Sequence, residues 1–265
     1  MGLTRAAVIA ALGVFVTSCT ASSYDLMKTG SISASAMQTP FADSDPVDFG
    51  KITPAHYPIH GVDVSRWQGD VDWAKAHRHG VSFAFVKATE GGDRLDPRFD
   101  DYWKGARAAG IAVAPYHFYY FCTSPEQQAR WFIQNVPKRS LGMPPVLDME
   151  WNAHSPTCHR RPDPATVRAD VKRFSAVIAS YYGVKPIIYT TVDFHETNLD
   201  GYFADLRFWL RSVADHPDNV YHGRDWTFWQ YTGTGIVPGI RGKADLNVFD
   251  GDVDAWKTWL SSATN

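Results

Sequence analysis

Pro144-Pro145-Val146-Leu147-Asp148-Met149-Glu150-Trp151 is the stretch from which the fold is read outward. The two prolines cannot continue a helix and deliver the chain, at fixed φ, into a short apolar run. That run reads as a strand, whose side chains alternate between faces. Asp148 and Glu150 therefore share one face, about 6.6 Å apart at a rise of roughly 3.3 Å per residue. Leu147 and Met149 face apolar packing on the other side. Two carboxyls on one face of a strand suited to burial repel each other, so one should keep its proton to unusually high pH. A proton donor beside a stabilising anion suits glycoside hydrolysis. On this stretch alone the alternative stays open that both acids simply end a strand in solvent.

Other strands flank this one at regular intervals. Ile59 to Val64, Val81 to Lys87, Ile111 to Phe118, Pro145 to Glu150 and Pro186 to Thr190 are each followed by a helical pattern. Ser124-Pro125 and Asp163-Pro164 are helix starts, an N-cap followed by proline in the first turn. Asp96-Pro97 opens another helix, reaching Ala109. Then the rhythm breaks: Arg207 to Arg211, Trp226 to Tyr231 and Ala244 to Phe249 read as strands. Their connectors, Ser212–Asp225 and Thr232–Lys243, are rich in Gly, Pro, Asp and His and show no convincing amphipathic helix. Asp252 to Leu260 closes the chain as a helix. Alternating strands and helices imply an α/β fold with a parallel sheet. Eight strands suggest a closed barrel, yet about 210 residues from Tyr57 onward is short for one. Loss of the last three helices accounts for the shortfall. The expected fold is a modified TIM-like barrel of five β/α units followed by three strands lacking helices. An open doubly wound sheet is the competing architecture.

In such barrels the reacting side chains come from the C-terminal ends of strands. Asp63 ends the first strand, in His60-Gly61-Val62-Asp63-Val64-Ser65-Arg66-Trp67-Gln68. Asp245, in Lys243-Ala244-Asp245-Leu246-Asn247-Val248-Phe249, lies in the last strand, which neighbours the first once the barrel closes. Asp63, Asp148, Glu150 and Asp245 would then converge on one mouth, although each aspartate of the first and last strands could be a structural, hydrogen-bonded carboxyl. Glu90, ending the second strand, is a candidate substrate contact and a weaker rival acid. Tyr116, Tyr119, Tyr189, Trp229 and Tyr231 are candidates to line a groove, and alternation requires about half of such positions to face the helices. Aromatic residues make up 14% of the chain, which suits stacking on sugar rings.

The N-terminus reads as targeting rather than fold. Arg5 precedes an apolar run from Ala6 to Val16, too short to span a bilayer but right for a secretory signal. Val16-Thr17-Ser18-Cys19 resembles a bacterial lipobox, which would make Cys19 the lipidated first residue; ordinary cleavage near Ser18 or Ala21 is the alternative. Residues 1–18 are thus the expected signal peptide, 19–56 a lipidated cysteine with a flexible tether, and 57–265 the folded domain. Removing Cys19 leaves Cys122 and Cys158, which in an oxidising compartment read as a disulfide, two unrelated free thiols being the alternative. The net charge of −2 gives no general electrostatic case for nucleic acid. No nucleotide-binding or zinc-ribbon motif is present. His77 and His79 diverge on a helix, and Cys158-His159 with His154 is only a faint metal pattern. No cofactor and no metal are expected. The chain should be an exported monomer of the bacterial cell envelope, held to a membrane only through its lipid.

HGVDVSRWQG, FVKATEG, PYHFYYF, PVLDMEW, WQYT and ADLNVF, in this order, resemble the glycoside hydrolase family 25 muramidases over about Tyr57 to Leu260. The resemblance implies a barrel of five β/α units followed by three strands. It also implies cleavage of the β-1,4 bond after N-acetylmuramic acid in peptidoglycan, with Glu150 as general acid, Asp148 as its partner, and Asp63 and Asp245 completing the site. Cys122, Cys158 and an insertion around His154 to Pro162 depart from the family pattern and leave the shape of one groove wall open. A spacing of about 6.6 Å exceeds the roughly 5–5.5 Å of a nucleophile–acid pair. Inversion and attack by the substrate's own acetamido group both remain. A chitinase-type hydrolase and a lectin-like lipoprotein that binds cell wall without cutting it are the rival functions.

Overall fold

The computed structural model describes Gly2 and residues 39–138, 141–152 and 155–263. Its sheet comprises β1 (Ala42–Asp43), β2 (His60–Val64), β3 (Val81–Glu90), β4 (Arg94–Leu95), β5 (Ala112–Phe118), β6 (Val146–Met149), β7 (Ile187–Thr191), β8 (Arg207–Arg211), β9 (Phe228–Ile236) and β10 (Ala244–Phe249). The strands β2-β3-β5-β6-β7-β8-β9-β10 pair in that order, and β10 returns to β2. The barrel is closed, which removes the open doubly wound alternative. Within the barrel all neighbours are parallel except at β10, which is antiparallel to both β9 and β2.

Helices α1 (Trp73–Arg78), α2 (Phe99–Ala108), α3 (Pro125–Asn135), α4 (Pro164–Tyr182) and α5 (Val192–Asn198) follow the first five barrel strands. Their starts are those the local chemistry dictates. Ser124 and Asp163 each accept a hydrogen bond from the backbone N–H three residues on, with proline at the first helical position. Gly183 ends α4 at φ 84°, a conformation that glycine adopts without a Cβ clash. After β8 only a four-residue helix forms, α6 (Pro217–Val220). The last helix, α7 (Val253–Ala263), packs Trp256 against Phe83, Phe228 and Phe249, plugging the barrel end opposite the carboxyls.

Two apolar layers lie on either side of the sheet. One, outside the barrel, joins the odd face of β6 (Leu147, Met149) to α3 and α4 through Phe132 and Phe174. The other fills the barrel with Phe83, Phe85, Tyr116, Val146, Ile187, Trp209 and Phe228. Gly61 belongs to this interior: a Cβ there would come within 2.4 Å of the Phe83 ring. The glycine is what lets that ring fill the barrel.

Two sequence boundaries need correction. The expected tether, 19–56, does not stay free along its whole length. Residues 39–56 lie against the barrel wall that lacks helices, β1 pairing with β9, and Phe41 and Phe49 are buried. Phe49 meets the Trp229 ring edge-on at 4.9 Å. Each buried phenylalanine is worth about 1.5–3 kcal/mol relative to exposure. Two isolated rings among Ser, Asp and Pro make no apolar period, so the pattern conceals them. The strand expected at Trp226 to Tyr231 also runs further, to Ile236, because antiparallel pairing with β10 extends it. Apart from Gly2, the expected signal peptide and the lipidation of Cys19 lie outside the described residues. Among those residues no helix is long and apolar enough to cross a membrane.

Candidate active site

The carboxyls meet because of strand direction. Asp148 and Glu150 leave the C-terminal end of β6, and Asp63 leaves that of β2. Asp245 stands near the start of β10, and the reversed direction of that strand brings it to the same mouth, in register with Asp63. The convergence is also visible electrostatically. Burial pushes the Tyr116 hydroxyl well above its usual range, and the charges of Asp63, Asp148 and Asp245 push it further. Tyr189 is raised likewise, first by burial and then by Glu150, Asp148 and Asp63.

Asp63 is held from two sides. Its Oδ2 accepts from Gln230 Nε2 at 2.8 Å and from Asn247 Nδ2 at 2.9 Å. These amides are themselves oriented: Tyr189 donates its hydroxyl to Gln230 Oε1, and Trp209 Nε1 donates to Asn247 Oδ1. Burial and then Asp245 drive the Asp63 carboxyl well above its usual range, against the pull of the two amides. Asp245 is raised to about 6 by burial, with Arg211 opposing.

Asp148 is different. It is buried, and its Oδ1 has no hydrogen-bond partner among the described residues. Burial, and then the charge of Glu150, push it well above its usual range. Glu150 is raised to about 7 by burial, with Arg211 and Lys87 pulling down and Asp193 and Asp245 pushing up. A carboxyl that keeps its proton to near neutrality is able to donate one. Among the described residues no cluster of three or more His, Cys, Asp or Glu side chains is arranged to hold a metal ion.

Tyr116 and Tyr189 lie inside the barrel below the acids. Tyr119, Trp229 and Tyr231 do not. The Tyr119 hydroxyl donates to Asp170 Oδ2 on α4 at 3.0 Å, and Trp229 Nε1 donates to the Ser212 carbonyl at 2.7 Å. Tyr231 packs near Trp229 and His60 on the same outer layer. Alternation decides this: Phe228 and Gln230 face inward on β9, so Trp229 and Tyr231 cannot. Glu90 is paired with Lys87 at 2.6 Å and accepts from the Tyr120 hydroxyl. Burial pushes Glu90 up, but Lys87 and Tyr120 outweigh it and leave the carboxyl below its usual range. It is an anion, unsuited to donating a proton.

The sequence pattern does not single out Lys87, Arg211, Gln230, Asn247 and Trp209. Each lay on the inward parity of a strand already identified, so the signal was there once one inward residue per strand was fixed. The Cys122–Cys158 disulfide is present, tying the loop after β5 to the loop after β6.

The family model for glycosyl hydrolases family 25 matches residues 62–240. This chain belongs to that family. It is 39% identical over 213 residues to the uncharacterized protein YegX of Escherichia coli K12, covering 78% of this chain and 75% of the relative. Lysozyme M1 of Streptomyces globisporus is 34% identical over 201 residues, 73% of this chain and 68% of that one. Among solved structures, a family 25 glycosyl hydrolase from Bacillus anthracis superimposes with a TM-score of 0.72 at 33% identity. That match covers 82% of this chain and 98% of the other.

Proposed function

We propose that the protein is a muramidase that hydrolyses the β-1,4 bond between N-acetylmuramic acid and N-acetylglucosamine in peptidoglycan. Family membership and the lysozyme relative support the reaction class. The observation that carries the division of labour is the contrast at the end of β6: Glu150, raised to about 7, beside Asp148, whose buried Oδ1 lacks a donor.

Glu150 gives its proton to the glycosidic oxygen as the bond to the muramic acid C1 breaks, and the leaving N-acetylglucosamine departs as the alcohol. The bare oxygen of Asp148 accepts the N–H of the substrate's 2-acetamido group, turning the acetamido carbonyl oxygen onto C1. That oxygen closes a five-membered oxazolinium ring, whose positive charge Asp148 stabilises. Glu150, now a carboxylate, takes a proton from the water that reopens the ring at C1, which restores the acid. Docking of the N–H also pulls Asp148 toward its anionic form, so the substrate itself sets the charge state. Asp63, Asp245 and Arg211 shape the field around the two acids.

Digestion of purified peptidoglycan and chitin side by side tests this reading. Muropeptides with reducing muramic ends, seen by mass spectrometry, are the expected product. Reducing N-acetylglucosamine ends or cleavage of chitin alone would point to the chitinase-type reaction, and binding without release would point to a cell-wall lectin.

The chain acts on the cell wall as an exported monomer, tethered through a lipid on Cys19. The apolar run from Ala6 and the sequence VTSC support the anchor. Cys19→Ser should release the protein from membranes, and a wild-type mature N-terminus that begins elsewhere without lipid would end the idea.

A further inference from the structure

On the β3 side of the mouth lies a pocket of about 380 Å³ that the bond cleavage itself does not use. Two of its residues tie it to the acids. Lys87 lines it and also acts on Asp148 and Glu150. Phe118 lines it and stands in register with Asp148.

The charges in this pocket are unevenly satisfied. Lys87 and Glu90 neutralise each other at 2.6 Å. Asp96 is occupied by the backbone N–H groups of Arg66 and Arg98. Among the described residues, neither Arg66 nor Arg94 forms an ion pair. Arg66 lies over the Trp67 ring at 4.5 Å, and that ring is 77% exposed. Leu95 beside it is also exposed. What is left for a ligand is the guanidinium of Arg66, that of Arg94, which acts on Glu90 only from beyond ion-pair distance, an indole and a leucine. Guanidinium forks match carboxylates, and the apolar surfaces match short aliphatic side chains. A neutral glycan needs neither cation.

The opposite wall is Ser155 and Pro156, close in sequence to Cys158, whose disulfide fixes that loop to the end of β5. A muramic acid at the acids carries, on its lactyl group, a peptide of small residues bearing free carboxylates. We propose that this pocket binds the anionic stem peptide of peptidoglycan, with Arg66 and Arg94 as specificity-determining residues. The proposal rests on the muramidase reading and extends it from the glycan to its substituent.

The test uses glycan strands from one peptidoglycan preparation, stripped of phosphate polymers and divided in two. An amidase removes the stems from one half, leaving the lactyl carboxylate. Wild-type protein should show kcat/KM on the order of tenfold higher on stem-bearing strands, through KM rather than kcat. The Arg66→Ala/Arg94→Ala variant should lose that factor on stem-bearing strands and match wild type on stem-free ones. The Arg66→Lys/Arg94→Lys variant should recover part of it. Equal wild-type kcat/KM on both strands would overturn the proposal, as would a double alanine variant impaired equally on both. If wild type cleaves neither strand, the muramidase reading fails instead. Calorimetry with a soluble stem tripeptide and the unreacted protein then decides the pocket alone, binding supporting the proposal and its absence overturning it.

Discussion

The two sides of the mouth hold their carboxyls in opposite ways. On the β2–β10 side, Asp63 is fixed by two amides, each oriented by a further ring on β7 or β8. On the β6 side, Asp148 keeps an oxygen with no donor, next to a glutamate raised to about 7. A buried polar atom without a partner costs on the order of 1–3 kcal/mol. The protein satisfies that cost on one side of the barrel and leaves it standing on the other, where a substrate N–H can remove it. In the proposed mechanism the first side is scaffold for the reaction and the second is where it occurs.

The largest expected effect comes from the β6 side. Glu150→Gln is nearly isosteric and cannot donate a proton, so turnover should fall by about 10²–10⁴-fold while glycan binding survives. A variant that keeps more than about a tenth of wild-type turnover would sink the assignment. Asp148→Asn follows, with a loss on the order of 10²-fold, since an amide cannot stabilise the positive ring as an anion does. In the substrate complex, where the docked N–H holds Asp148 anionic, removing that charge should also shift the alkaline limb of the kcat profile to lower pH.

Asp63→Asn sets the contrast. Its remaining carbonyl oxygen still accepts from Gln230 and Asn247, so turnover should drop only about tenfold, charge rather than geometry being lost. Equal losses for Asp63→Asn and Asp148→Asn, measured as kcat on purified wall, would erase the distinction between the two sides.

The pH dependence separates chemistry from stability. Wild-type activity should decline as pH rises through about 7, where Glu150 loses its proton. The same group binds its proton more tightly folded than unfolded, where its value is 4.5. Its contribution is therefore fully present below pH 4.5 and is lost as pH rises through about 7. Glu150→Gln should accordingly be more stable than wild type at pH 8, on the order of 1–3 kcal/mol, and no more stable at pH 4. Denaturant melts at both pH values read this directly.

The smallest effect on turnover belongs to the disulfide. It closes a sequence separation of 36 residues, worth about 3–4 kcal/mol on the chain-entropy account. Cys122→Ser/Cys158→Ser should lower the melting temperature while changing kcat less than any carboxyl variant. A larger loss of kcat than that of Asp63→Asn would show that the loop positions the acids and does not merely bound them.

Much of this is legible in the sequence alone. The strand rhythm, the capped helix starts at Ser124 and Asp163, and the break in strand–helix alternation after the fifth unit are readable because each rests on local chemistry. The parity of Asp148 and Glu150 was readable for the same reason, since alternation is a property of any strand. Tyr119, Trp229 and Tyr231 were misplaced because parity gives two faces without saying which one is inside. That choice is made by the partners across the barrel, as when Gln230 turns inward to Asp63.

The sequence by itself therefore determined the elements, their order and the acids at their ends. The tertiary structure decided the rest. Closure of the sheet and the reversal of β10 bring Asp245 beside Asp63 across most of the chain. Burial then raises Glu150, through a desolvation that depends on every element around it. Phe41 and Phe49, lost in a polar stretch, find their place only because a helix-free wall leaves apolar surface uncovered. Interactions between neighbours along the chain are written in its pattern, whereas burial and long-range pairing exist only once the barrel has closed.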